Sequence, residues 1–110
     1  MNNLILGIMC VASFISPIQE KVNALDKVRD SIVYEMSDGS VIVSVITEPI
    51  FTLSTRQKLY RDIEEIMSNS GVNGEVFISF DIDIYSSLSL INDDKDASKI
   101  IETIKSRQRN

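Results

Sequence analysis

Between Leu53 and Tyr85 the apolar pattern changes period once, from 3.6 residues to two, and few folds besides a helix laid on a sheet can bury both patterns. Leu59, Ile63, Ile66 and Met67 recur at offsets of 0, 4, 7 and 8, one apolar stripe. Arg56, Lys58, Arg61, Asp62, Glu64 and Glu65 fill the other faces. Ser54 and Gln57 have the Ser-x-x-Gln spacing of a capping box, so the helix is predicted to start at Ser54. Gly71 offers the left-handed residue that ends a helix at little cost. After Gly74, Val76, Ile78, Phe80 and Ile82 face one way and Glu75, Ser79, Asp81 and Asp83 mostly the other, which predicts a strand.

Upstream, Ile18, Val22 and Leu25 make a short helical stripe after Pro17. Asp26 to Met36 reads as a strand around Ile32, Val33 and Tyr34, and Ser37-Asp38-Gly39-Ser40 as a hairpin turn. Val41 to Thr47 returns with apolar residues on both faces. That pattern fits a central strand covered on each side, or one with a face held for a partner. Glu48-Pro49 ends it. Downstream, Ile84, Leu88 and Ile91 predict a short helix with Asp83 as its cap; Asp96 is expected to cap a last helix whose apolar side is Ala97, Ile100, Ile101 and Ile104. The expected fold is α+β, an αββαβ(α) two-layer sandwich: a small three-stranded mixed sheet with helices packed on one face. The division is an apolar N-terminal segment over 1–17 and one domain over 18–110.

Composition removes several function classes. The 44% apolar and 25% charged content belongs to a folded chain. With 16 acids against 11 bases the net charge is −5, which argues against nucleic acid as partner. The basic residues Lys99, Lys105, Arg107 and Arg109 suit a solvated helix C-terminus. No histidine occurs, so the commonest general base and metal ligand is missing, and the single cysteine, Cys10, permits no internal disulfide. Asp81 and Asp83 could form an acid pair about 7 Å apart on a strand. The competing reading, solvated strand-end acids, needs no third ligand. Gly71-Val-Asn-Gly74 follows a helix and lacks the end of a phosphate loop, and no serine motif of a nucleophile is present. No cofactor, metal or catalytic residue is expected.

Met1 to Ser16 holds about a dozen consecutive apolar or small residues without charge, short for a membrane span but suited to a signal peptide or anchor. Cys10 is then a lipidation candidate, although Gly7-Ile8-Met9 is a poor lipobox. The alternative is a helix within the domain or a dimer contact. From Lys21 to Ile91 the chain resembles the YhcN/YlaJ family of sporulation lipoproteins. The resemblance lies in Lys21-Val22-x-x-Leu25-x-x-Val28, Ile32-Val33, Val41-Ile42-Val43-Ser44-Val45 and Val76-Phe77-Ile78-Ser79. Asp83 takes the aspartate of that family's Asn-Pro-Asp turn, which reads Asp81-Ile82-Asp83 here, and the family's Asp-Arg pair is Ser86-Ser87. The resemblance implies a membrane-tethered, non-enzymatic protein of the cell envelope, linked to spore formation or germination.

These readings converge on a non-enzymatic, envelope-facing interaction domain that binds a protein partner or another copy of itself through a sheet face or strand edge. Val43, Val45, Phe77 and Tyr85 are the residues expected to present that surface. The rival is a cytosolic regulatory or ligand-binding module in which the N-terminal segment belongs to the fold.

Overall fold

The computed structural model describes residues 17–108. Cys10 and the apolar segment over 1–16 lie outside the described residues. A helix α1 (17–23) leads into β1 (Val28–Glu35). The Asp-Gly turn then reverses the chain, with Gly39 at a φ of 91° and the Asp38 carboxylate accepting from the Ser40 N–H at 2.9 Å. β2 (Val41–Thr47) pairs antiparallel with β1. Helix α2 (Leu53–Asn69) carries the chain over to β3 (Val76–Ser79), which lies parallel to β2, so the sheet order is β1-β2-β3. Helices α3 (Ile82–Leu88) and α4 (Asp94–Gln108) follow. The α+β class and the three-stranded mixed sheet are as the pattern predicts.

The register explains where the core sits. Val33, Val43 and Ile78 stand side by side across the strands; the next row is Tyr34, Ile42 and Phe77. Successive side chains point to opposite faces, so these rows look in opposite directions. On the first face Ile18 and Val22 of α1 and Leu59, Ile63 and Met67 of α2 pack on Val33, Val41, Val43, Val45 and Ile78. On the second, Ile84 and Leu88 of α3 and Ala97, Ile100, Ile101 and Ile104 of α4 cover Ile42 and Phe77. The sheet is therefore the middle of three layers, and the expectation of helices on one face only is corrected. The cause is β2, which is buried from Val41 to Val45 and so needs cover on both sides.

The helix ends also refine the reading. The N-cap of α2 is Thr52, not Ser54: its backbone is extended and its Oγ1 accepts the Thr55 N–H at 3.2 Å. At the far end the Val72 N–H reaches the Met67 carbonyl and the Gly71 N–H that of Ser68, each at 3.2 Å, with Gly71 at a φ of 87°. That is the glycine-ended closure that the sequence announces. β3 stops at Ser79 rather than running to Ile82. There the Ser79 hydroxyl accepts the Asp81 N–H at 3.1 Å and turns the chain, so Ile82 opens α3 and Asp81, not Asp83, takes the cap position. Asp93, not Asp96, caps α4 by accepting the Asp96 N–H at 3.0 Å.

Helix α1 covers part of the outer edge of β1. Gln19 accepts the Val33 N–H at 3.3 Å, and the Ser31 hydroxyl donates to Asn23 at 2.7 Å. Edge strands are commonly protected in this way against pairing with other chains.

Candidate functional site

Because β2 and β3 run parallel, both end at the same side of the sheet, and the antiparallel β1 begins there. An open depression of about 640 Å³ lies at this side, bounded by the start of β1, the β2–α2 loop and the end of β3. In sheets with parallel strands, the region beyond the strand carboxyl ends is where connecting loops leave room for a ligand.

Each wall has a local cause. Val28 faces Thr47 while Asp30 faces Ile46, so two steps on β1 match one on β2 and Arg29 is the extra residue of a bulge. Just before it, Lys27 has a φ of 77°, and its carbonyl accepts the Glu48 N–H at 2.7 Å. Pro49 stops the ladder, and the loop that follows leaves Phe51 92% exposed and Leu53 69% exposed. From α2, Arg56 places its guanidinium 5.2 Å from the centre of the Phe80 ring, which Tyr60 meets edge-on at 6.4 Å. Arg29, Glu48 and Arg56 are the charged residues of the lining.

The residues singled out from sequence lie elsewhere. Val43 and Val45 are 0% exposed beneath α1 and α2, and Phe77 is 8% exposed beneath α4 with Lys105 Nζ 5.5 Å from its ring. These three are core residues, and no open sheet face presents them. Tyr85 is half-buried on α3, its hydroxyl donating to Asp30 at 2.5 Å, and the bond to that carboxylate, then burial, raise its pKa. Cys10 lies outside the described residues.

Asp81 and Asp83 do come together, but around a cation of this chain. Arg107 Nη1 donates to Asp81 and to Asp83, each at 2.9 Å, and Nη2 to Asp83 at 2.6 Å. The guanidinium holds the Asp83 carboxyl below the usual carboxylate range and is itself pushed up by the two acids. This clasp ties the end of α4 to the start of α3, which is the structural reading of the pair. Among the described residues no group of three or more His, Cys, Asp or Glu is placed to hold a metal ion, and no helix is long and apolar enough to cross a membrane.

Sequence reasoning missed the rim residues Arg29, Phe51 and Leu53. The sequence does not separate Phe51 from Ile50: both are apolar loop residues between Pro49 and Thr52, yet Ile50 packs on the core and Phe51 does not. Arg29 carried no signal either, since a bulge depends on the pairing of two strands.

No family model, no curated protein and no solved structure matches the chain.

Proposed function

We propose that this chain is a non-catalytic protein-interaction domain that docks a partner at the rim beyond the strand carboxyl ends. The observation that carries this is Phe51, 92% exposed beside the exposed Leu53 on a loop pinned between β2 and the α2 cap. Burying such a side chain against a partner is worth roughly 1.5–3 kcal/mol, and exposed aromatics on a fixed frame often dominate a binding surface. The docking element is thus a loop rim, in place of the sheet face expected from sequence. An envelope setting goes with this proposal on the apolar N-terminal segment and the YhcN/YlaJ resemblance. Membrane fractionation of the full chain against one beginning at Pro17 tests it, because Ile18 and Val22 belong to the core. Equal distribution of the two would remove the envelope setting.

The rim itself is tested by crosslinking in cells that express the full chain. A discrete crosslinked species is expected, and the Phe51→Asp, Leu53→Asp double variant should lose it while its thermal midpoint moves by no more than about 2 °C. Persistence of that species in the double variant would end the rim reading.

A further inference from the structure

Resting on that docking reading, we infer that the rim takes an acidic segment of a partner protein, one in which a carboxylate neighbours an apolar side chain. Two cations line the same depression as the exposed Phe51 and Leu53, Arg29 from strand β1 and Arg56 from helix α2. Arg29 is the extra residue of the β1 bulge, a device that re-aims a side chain out of the regular alternation. Lys27, two residues earlier, sits in the left-handed region, at a cost of about 1 kcal/mol for a residue other than glycine. Arg56 is steadied over the Phe80 ring. Among the described residues neither arginine has a carboxylate within ion-pair distance, whereas Arg107 is clasped by Asp81 and Asp83, and Lys58 is paired with Asp62 at 2.9 Å. The planar guanidinium fork matches a carboxylate with two parallel hydrogen bonds.

The remaining charge narrows the ligand. Glu48 stands in the same lining, so two cations less one anion leave a single net positive charge. That suits one or two carboxylates and disfavours a polyphosphate. The exposed apolar pair in the same lining as the arginines favours an apolar neighbour on the ligand, which a simple anion lacks.

The probe is a labelled peptide of about ten residues with two glutamates, each beside a leucine or phenylalanine in an otherwise glycine and serine background, titrated into the full chain by fluorescence anisotropy. One counterpart carries lysine for glutamate, a second serine for the apolar residues. The glutamate peptide should bind at least about tenfold more tightly than either counterpart, and Arg29→Gln with Arg56→Gln should weaken it by about tenfold or more. Both arginines are exposed, so circular dichroism should show the variant folded. Raising salt from about 50 to 500 mM on the unsubstituted chain gives an independent readout and should also weaken binding. Equal binding of the lysine peptide, unchanged affinity in the arginine variant, or no binding of any peptide overturns the inference. Displacement by inorganic phosphate would reassign the rim to small anions, and a dimer that needs Phe51, seen by sedimentation, to a second copy. Crosslinked species that require Phe51 and Leu53 but survive loss of both arginines would leave the docking rim standing and remove its acidic partner.

Discussion

Gly74 sits where no side chain fits: a Cβ there would lie 2.3 Å from the Gly39 carbonyl oxygen, so the segment entering β3 passes hard against the β1–β2 turn. Gly74→Ala must push these backbones apart, and a loss of about 2–3 kcal/mol is expected from urea denaturation. Gly71→Ala meets open space and only the left-handed φ, so it should cost about 1 kcal/mol. Equal costs at the two positions would refute the close approach. A second residue-scale lock is Asp94, whose carboxylate accepts from the Ser37 hydroxyl at 2.5 Å, the Ser37 N–H at 3.0 Å and the Tyr34 hydroxyl at 3.1 Å. Ser37 above all holds its carboxyl below the ordinary range, and Arg107 does the same for Asp83. A carboxyl whose pKa is depressed on folding adds stability that is present above its unfolded value of about 3.9 and lost as pH falls through the folded value. The thermal midpoint should therefore drop below about pH 4, and less steeply in Asp94→Asn. Tyr34 and Tyr85 shift the opposite way, through burial with Asp94 at Tyr34 and chiefly through the Asp30 bond at Tyr85. Their contribution is present below about pH 10 and lost above it. An acid limb identical in Asp94→Asn would remove Asp94 from this account.

At the scale of elements, the test case is Phe77 on β3. The sequence pattern offers it as a residue of the docking surface. The fold buries it beneath α4, so the Phe77→Asp variant should be unfolded by circular dichroism at room temperature, since an unpaired carboxylate would enter an apolar layer. A folded Phe77→Asp monomer would contradict the second core. The difference shows what a sequence carries. The α2 stripe of Leu59, Ile63 and Met67 was legible because helical spacing is local, and so was the Gly71 stop. The sidedness of the sheet was not. Apolar residues on both faces of β2 fit a central strand or a docking face equally well, and the apolar side of α4 does not state which sheet face it meets. What decides is that β3 lasts four residues and the Ser79 turn sends α3 and α4 to the second face. The rim was not legible: Ile50 and Phe51 are both apolar loop residues that only the fold separates, and the bulge at Arg29 exists only in the register between β1 and β2.

For the whole molecule, the two apolar clusters share one sheet, so neither layer of helices is optional. Ending the chain at Asn92 removes Ala97, Ile100, Ile101 and Ile104 and bares Ile42 and Phe77. In a domain this small, where net stability is a few kcal/mol, that truncation should abolish cooperative thermal unfolding rather than lower its midpoint. A sharp transition in the shortened chain would mean that the α1–α2 layer stands alone. The rim lies at one end of this sandwich, so a partner can be added there without opening either core.

Gln19 and Asn23 have a consequence beyond their own hydrogen bonds. A fibril that grows by strand addition needs two unpaired flanks on every subunit, one to receive and one to offer. With the Val33 N–H on the β1 flank already taken by Gln19, a strand adding on that side would have to displace it first, which hinders growth into a filament.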